Sequence, residues 1–218
     1  MGVDNYIIYI IDTETTGLDP VKNDVIEISM CRLIMGQEDK REQKTWLIKA
    51  MNAETVEDEA LAVNHHDRSE ILWLNKAGRE KYKLPSDVIV EVENWIAEDG
   101  VSAIDRIFAG QNPVFDVHAL MELWRKAGSP ETFPFALESN SRILDTKQLA
   151  TIIDLCTGNR RRYYNLSTLV KSFNVKKAKA HTAEGDVQMT SDLLIALLSP
   201  LVKTISESFK DCYTDLDS

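Results

Sequence analysis

The N-terminal fifth of the chain alternates short apolar runs with polar turns, which is the pattern of a strand meander. Residues 6–11 form a continuous apolar run of the length expected for one buried strand. Residues 25–34 alternate loosely between apolar and polar positions, and residues 44–48 read as a further strand after a turn at 36–42. These three segments predict the first three strands of a sheet.

Helical spacing of apolar positions dominates the remainder, interrupted by two short apolar runs. A loop with a short helix is expected over 50–67, and an amphipathic helix over 87–97 with Ser86 as its N-cap. Asn112 and Pro113 suit the N-cap and first position of a helix that ends near Lys126. The later segments predict strands at 106–109 and 142–144, and helices at 146–156, from 165 or 167 to 173, and at 183–198.

The order of these elements, βββααβαβααα, predicts one α/β domain with a central mixed five-stranded sheet flanked by helices. Pro200 is expected to stop the last helix, because proline has no N–H and its ring clashes with the preceding turn. We therefore assign residues 1–198 to the domain. Residues 199–218 are assigned to a C-terminal tail with room for one short helix.

The composition is that of an ordinary globular protein. Its 218 residues, 44% of them hydrophobic and 28% charged, can bury a substantial core. No apolar run approaches the ~20 residues that span a bilayer, and the N-terminus lacks the basic-then-apolar pattern of a signal peptide. The three cysteines lack CxxC spacing, which suits reduced thiols, two in the core and Cys212 in the tail. These features predict a cytoplasmic protein without a membrane partner.

The distribution of charge changes the picture that the total charge suggests. A net charge of −10 argues against a nucleic-acid partner, which usually demands a basic surface. Residues 157–182, however, contain seven basic residues and no acidic residue, and they lead directly to His181. This stretch favours contact with nucleic acid, although the lysines taken alone also fit an ordinary solvated loop.

Two carboxylates lie at the end of the first predicted strand, which reads as a buried central strand. Asp12 and Glu14 lie two positions apart, so on an extended chain both side chains point to the same face. Two unpaired carboxylates next to a core repel each other and are costly to keep ionised. A bound divalent cation removes that cost. The pair therefore indicates a metal-dependent enzyme.

Two further acids occupy helix positions that face the core. The neighbours of Asp116 and Asp186 at i+3, i+4 and i+7 are apolar or small, so both carboxylates are expected to point inward near the start of their helices. His181 precedes Asp186 by five residues, and the ordinary pKa of histidine suits deprotonation of water near neutral pH. His65 and His66 lie in a polar loop and are expected at the surface, and His118 is expected on the outward face of its helix.

Three short motifs contain these acids and His181. In chain order they are Asp12-Thr13-Glu14-Thr15-Thr16-Gly17-Leu18, Asn112-x-x-Phe115-Asp116-x-x-x-Leu120 and His181-x-Ala183-x-x-Asp186-x-x-x-Thr190. Their order and spacing closely resemble the DEDDh group of DnaQ-like 3′→5′ exonucleases, over nearly the whole chain. Many members carry His-Asn before Phe-Asp, whereas Gln111 precedes Asn112 here, a departure that bears on substrate details.

The resemblance implies an RNase H-like fold and two Mg²⁺ or Mn²⁺ ions. By this analogy Asp12 bridges both ions, Glu14 and Asp186 complete the first site, and Asp116 holds the second. His181 is the implied general base for the attacking water. The implied products are nucleoside 5′-monophosphates released from a 3′ end.

The resemblance also implies contacts to the terminal nucleotide. Thr15 and Thr16 are expected to offer backbone contacts to the 3′ hydroxyl, Leu18 to wedge beside the last base, and Asn64 to make a polar contact. The second motif adds Asn112 and Phe115 to the substrate-binding set. Further along, the basic residues 160–162 and the tyrosines 163–164 are candidates to hold phosphates and stack a base. An equally good interpretation places one tyrosine in the core and exposes the other.

The motifs leave the substrate open. Single-stranded DNA or a frayed DNA 3′ end is the leading hypothesis, and RNA, as in RNase T-like or oligoribonuclease-like enzymes, is the alternative. A third possibility is a proofreading or processing subunit of a larger nucleic-acid complex, with residues 201–218 docking a protein partner. A metal-dependent phosphatase that is not a nuclease is disfavoured by the position of His181 and by the basic stretch.

Overall fold

The computed structural model describes residues 7–136, 142–178 and 182–208, the last six through their backbone only. His181, Lys179 and Cys212 lie outside the described residues. The five strands are β1 Ile7–Thr15, β2 Val25–Ile34, β3 Glu42–Leu47, β4 Arg106–Gly110 and β5 Ile143–Asp145. They form one sheet in the order β3-β2-β1-β4-β5.

The sheet is mixed, as the sequence predicts. Strands β1, β2 and β3 pair antiparallel, whereas β4 pairs parallel to β1 and β5 parallel to β4. Strand β1 stays paired with β2 beyond Ile11 and includes Asp12 and Glu14 at its end, as predicted. Its central position fixes where both carboxylates lie.

Eight helices surround this sheet in the described part of the chain. They are α1 Asp58–Asn64, α2 Arg68–Ile71, α3 Lys76–Lys81, α4 Pro85–Ala97, α5 Val114–Lys126, α6 Thr146–Thr157, α7 Leu166–Ser172 and α8 Ala183–Ser208. Helices α2 and α3 were not predicted, because four and six residues are too few to show a helical period. Helix α4 begins at Pro85, not after Ser86.

Two helix ends also differ from the prediction. Asn112 is not the N-cap of α5, because the helix begins one residue later than predicted, with Pro113 as its N-cap, and Asn112 itself has a left-handed φ of 59°. Helix α8 does not stop at Pro200 but continues to Ser208, across the predicted domain boundary. A proline removes a single intrahelical hydrogen bond, at a cost of about 3 kcal/mol, and buried Leu193 and Leu197 anchor the preceding turns, so the helix continues.

Hydrophobic packing on both faces of the sheet holds β1 in the centre of the molecule. Tyr9 and Ile11 pack with the apolar residues of α4 and α5 on one face. Ile8 and Ile10 pack with those of α8 on the other. The C-terminal end of β1 therefore emerges between α5 and α8, the two helices that carry the other predicted acids.

Two further predictions concern the cysteines and membrane-spanning helices. Cys31 is buried as expected, but Cys156 is exposed on the outer side of α6, so it does not fill the core. None of the helices described here combines the length and apolarity that crossing a membrane requires.

Candidate active site

Three of the four predicted acids converge at the C-terminal end of β1. Asp12, Glu14 and Asp186 each place a carboxylate oxygen within 4.8 Å of the other two. Asp12 and Glu14 extend from the same face of β1, and Asp186 comes from the first turn of α8. An anion is favourable there, because the helix dipole places partial positive charge at the N-terminus. The structure thus brings these carboxylates together as the spacing predicts.

The fourth predicted acid, Asp116, is near these three carboxylates but is not one of the converging group. It is buried in the first turn of α5, where one oxygen, Oδ1, accepts hydrogen bonds from the backbone N–H (2.9 Å) and the hydroxyl (2.8 Å) of Thr13. Thr13 is the residue between Asp12 and Glu14, so these bonds fix α5 to the acidic end of β1. Asp116 is therefore held next to the three-acid group by a residue on the opposite face of the strand.

The acids perturb one another strongly. Burial raises the pKa of Asp12 well above its ordinary value, and the charges of Asp116, Glu14 and Asp186 raise it further. Burial, followed by the charges of Glu27 and Asp186, raises the pKa of Glu14 to about 8. Burial raises the pKa of Asp116 to about 6, against the lowering effect of the Thr13 hydrogen bonds.

This donor set fits a hard divalent cation. All three converging ligand atoms are carboxylate oxygens, which Mg²⁺ and Mn²⁺ prefer, whereas zinc sites are typically built with nitrogen and sulfur. A cation bound among them offsets the repulsion that contributes to the raised pKa values of Asp12 and Glu14. The cluster is therefore consistent with metal binding.

We expect the metal-free protein to lose stability as the pH rises. The folded-state pKa of Glu14, about 8, lies above its ordinary value of 4.5, so the folded protein holds this proton more tightly than the unfolded chain does. The associated stability is complete below pH 4.5 and is lost as the pH rises through about 8. The unfolding temperature in EDTA will therefore fall between pH 5 and pH 8, less steeply in Glu14→Gln, as circular dichroism can record. Equal slopes in both proteins would contradict this origin.

Thr15, Thr16 and Asn64, which the resemblance assigns to the substrate, are engaged inside the protein. The backbone N–H of Thr16 donates to the carbonyl of Asp24, and the Thr16 hydroxyl accepts a hydrogen bond from the backbone N–H of Asp24. The Thr15 hydroxyl donates to the carbonyl of Gly17. Asn64 is buried and donates to the Thr15 carbonyl at 3.1 Å. These contacts hold the turn after β1 in place, and substrate contacts there stay a prediction.

The other predicted substrate residues differ in exposure. Leu18 is 83% exposed at the tip of the turn, as a residue that meets a base has to be. Asn112 is exposed, and its backbone N–H donates to Asp145. Phe115, in the first turn of α5, is half-buried and packs against the core. Leu18 and Asn112 are therefore accessible, whereas most of Phe115 contributes to packing.

The histidines are placed differently from one another. His118 is exposed, as predicted. His66 is not at the surface: its ring lies between Tyr82 and Glu27, with Nδ1 2.7 Å from the tyrosine hydroxyl and Nε2 2.9 Å from the carboxylate. The prediction failed because Tyr82 and Glu27, which cover the ring, are far from His66 in the sequence.

Glu27 is an acid near the site that the motifs do not include. It lies on β2 directly opposite Glu14, and only 6% of its surface is exposed. The sequence carried one signal, since Glu27 is the single acidic residue within the apolar run 25–34. That signal shows an acid in a strand but cannot show which residue it faces.

One arginine of the basic stretch 157–182 makes a contact inside the protein. Arg161 forms an ion pair with the buried carboxylate of Asp154, which also accepts a hydrogen bond from Tyr164 at 2.8 Å. Tyr164 is half-buried and packs against the apolar cluster that includes Ala150 of α6, whereas Tyr163 is 57% exposed. One tyrosine is thus packed and the other exposed, and stacking of a base on Tyr163 stays a prediction. Gln111, the departure from the motif, donates to the Tyr164 carbonyl at 2.7 Å.

Replacing Arg161 with Met will lower the free energy of unfolding by about 3 kcal/mol, because it leaves Asp154 charged and buried without its cation. The double variant Arg161→Met/Asp154→Leu is expected to recover most of this loss, since it removes both charges. Urea unfolding measures both. If Arg161→Met instead retains full stability and weakens DNA binding, this arginine serves the substrate.

Comparisons with known proteins identify the family and the fold. The RNase T family model, described as an exonuclease, matches residues 9–194. No curated protein sequence is detectably similar to the chain. The fold resembles the zinc-bound E. coli exonuclease I–single-stranded DNA complex (TM-score 0.73, 14% identity) and E. coli exonuclease I with a dT13 oligonucleotide (0.68, 15%). It also resembles exonuclease I from Methylocaldum szegediense (0.70, 16%).

These structural matches cover 94%, 92% and 94% of this chain, respectively. In each case the chain spans only 43% of the exonuclease I chain. At such identities the likeness shows the fold, which is RNase H-like as the motifs implied. The family match adds the sequence relationship over most of the chain, including all three motifs. The chain therefore belongs to the RNase T family of exonucleases, in the DEDDh group of the RNase H-like superfamily.

Proposed function

We propose that this protein is a metal-dependent 3′→5′ exonuclease that removes nucleoside 5′-monophosphates from single-stranded or frayed DNA ends. The observation that carries the proposal is the convergence of Asp12, Glu14 and Asp186 at the end of the central strand. Membership of an exonuclease family supports the reaction. Single-stranded DNA is favoured as substrate, because exonuclease I structures of the same fold are described in complex with it.

The chain's acids divide between two cation positions. Asp12, Glu14 and Asp186 would hold one Mg²⁺ or Mn²⁺, and Asp116, with Asp12 shared between them, would hold a second. Bound in this way, the cations supply activation of a water and stabilisation of the leaving 3′ oxygen. Both hydrogen bonds from Thr13 go to Oδ1 of Asp116 and fix the orientation of this carboxylate.

His181 is the proposed general base, taking the proton of the attacking water on a ring nitrogen. The next residue in the sequence is Thr182. The hydroxyl of Thr182 accepts a hydrogen bond from the Gly185 N–H, and its carbonyl accepts one from the Asp186 N–H. The start of α8 that follows the histidine is thereby fixed close to the acids. Leu18 is the proposed wedge against the terminal base, and its exposure supports that role.

The cytoplasmic location and a protein partner at the C-terminal tail stay predictions. Residues 209–218 lie outside the described ranges, and the chain spans under half of the exonuclease I chains. The proposal for the isolated chain is therefore limited to hydrolysis of a free 3′ end.

Labelled oligonucleotides test the proposed polarity and substrate. Single-stranded DNA and RNA of matched sequence, each labelled at the 5′ end or at the 3′ end, are incubated with the protein and Mn²⁺. We expect 5′-labelled DNA to shorten one nucleotide at a time and 3′-labelled DNA to release a labelled mononucleotide at once. Faster digestion of RNA would assign the enzyme to RNA instead. Internal cuts without a ladder would overturn the exonuclease proposal.

A further inference from the structure

A second layer of side chains lies behind the three-acid group and is centred on Glu27. Strand β2 pairs with β1 so that Glu27 is directly opposite Glu14, and directly opposed residues on paired strands project to the same face. Glu27 therefore stands beside a proposed metal ligand although it is not one of the three converging acids. Such a charge needs a defined partner, because burial without one is costly.

Both carboxylate oxygens of Glu27 have partners. Oε2 lies 2.9 Å from Nε2 of His66, and Oε1 accepts the backbone N–H of Glu184 at 3.4 Å. Glu184 belongs to the first turn of α8, two residues before Asp186. The carbonyl of Glu184 also accepts a hydrogen bond from Gln43 at 2.7 Å, which ties this turn to β3.

The other ring nitrogen of His66 also has a partner. Its Nδ1 lies 2.7 Å from the hydroxyl of Tyr82, whose ring is buried. With the proton on Nε2, the tyrosine hydroxyl donates to Nδ1 and the imidazole donates to Glu27. The result is a chain of hydrogen bonds from Tyr82 through His66 to the carboxylate that faces Glu14. The side chains of His66 and Glu27 in this pair are 6% and 8% exposed, so water competes little with it.

We propose that His66 and Glu27 form a positioning pair for the metal site. His66 holds the Glu27 carboxylate in one orientation, and Glu27 in turn holds the first turn of α8 beside Glu14. Fixed in this way, Glu27 keeps Glu14 and Asp186 at the spacing that a cation requires and does not rotate toward the cation itself. The inference rests on the proposed metal-dependent function and extends it to two residues outside the motifs.

The charge of Glu27 gives the pair an electrostatic effect as well. Glu27 lies directly opposite Glu14 on the paired strands, so its carboxylate is next to a proposed ligand. Its carboxylate thus increases the negative potential around the ligands, which favours a divalent cation. Partners in the layer behind metal ligands commonly set affinity in this way, and replacing them costs about 10–100-fold in affinity or activity.

Equilibrium binding of Mn²⁺, followed by electron paramagnetic resonance of the free ion, tests the pair. His66→Phe retains an aromatic ring beside Tyr82 but removes Nε2, and we expect the dissociation constant to rise by about tenfold or more. His118→Phe makes the same change at an exposed position and should bind Mn²⁺ like the wild type. His66→Gln, whose amide can donate to Glu27, should recover most of the affinity.

Activity measurements separate positioning from substrate binding. His66→Phe is expected to lower kcat at fixed Mn²⁺ with little change in KM for the oligonucleotide, and excess Mn²⁺ should restore part of kcat. If His66→Phe does not fold, Tyr82→Phe removes only the hydroxyl behind the histidine and should weaken Mn²⁺ binding in the same direction. Each variant is checked by circular dichroism before it is titrated.

The outcomes distinguish this inference from the proposed function. Wild-type protein that binds Mn²⁺ and digests DNA, together with a folded His66→Phe that binds Mn²⁺ equally well or more tightly, would overturn the positioning pair and leave the exonuclease proposal intact. Wild-type protein that neither binds Mn²⁺ nor digests DNA would overturn the proposed function itself.

Discussion

Replacing Asp12 with Asn will reduce the rate of single-stranded DNA hydrolysis by at least about 10³-fold. Asp12 is the acid that the two proposed cation positions share, so the amide weakens both. Metal ions supply several kcal/mol of stabilisation to the transition state, and each 1.36 kcal/mol corresponds to a tenfold change in rate. The size of the side chain is unchanged, so strand β1 should keep its pairing with β2. Initial rates with 5′-labelled DNA at saturating Mn²⁺ measure the loss.

A matched control is Asp87→Asn, which removes one negative charge from the exposed first turn of α4. It should digest DNA at the wild-type rate. The metal-free Asp12→Asn protein should also unfold at a higher temperature than the wild type at pH 8, because it removes a carboxyl group whose pKa is raised by burial and by the charges of the neighbouring acids. Retention of more than a tenth of wild-type activity in Asp12→Asn would place the catalytic metal elsewhere.

Replacing His181 with Ala is expected to lower kcat by about 10²–10⁴-fold, the range that general acid–base catalysis contributes. The variant loses the proposed proton acceptor but keeps every acid of the cluster. Its Mn²⁺ affinity should therefore match the wild type. Because hydroxide can replace a missing base, its rate should continue to rise with pH where the wild-type rate has levelled off. Single-turnover rates between pH 6 and pH 9 record both effects.

His118→Ala is the control, since this histidine is exposed on α5. It should keep wild-type kcat at every pH. A His181→Ala protein that retains wild-type kcat would remove the general-base assignment. Loss of Mn²⁺ binding in this variant would instead assign the histidine to the metal site.

Local spacing was sufficient to predict the centre of the site. Asp12 and Glu14 share a face because side chains alternate along a strand, and this holds wherever the strand lies in the sheet. Asp186 turns inward because its helical neighbours are apolar. The five-stranded mixed sheet also followed from the order of the elements. Each of these inferences depends on residues close together in the sequence.

The features that the sequence did not reveal depend on contacts between distant segments. Glu27 meets Glu14 through the register of β1 and β2, and His66 is covered by Tyr82 and Glu27. Arg161 is the exception: Asp154 lies only seven residues earlier, and the ion pair forms because the chain folds back after α6. No local period encodes such pairings. The left-handed Asn112 shows the same limit, since its N–H is satisfied by Asp145, at the end of β5.

The most direct measurement of the central claim compares Mn²⁺ binding with DNA hydrolysis in the same samples. Wild-type protein and Asp12→Asn are titrated with Mn²⁺ by electron paramagnetic resonance, and the rate of digestion of 5′-labelled single-stranded DNA is recorded at each concentration. If Asp12, Glu14 and Asp186 hold the cation on which hydrolysis depends, wild-type activity will follow site occupancy and disappear in EDTA. Asp12→Asn will then lose both tight binding and activity. Hydrolysis that persists in EDTA, or tight Mn²⁺ binding retained by Asp12→Asn, would contradict the claim.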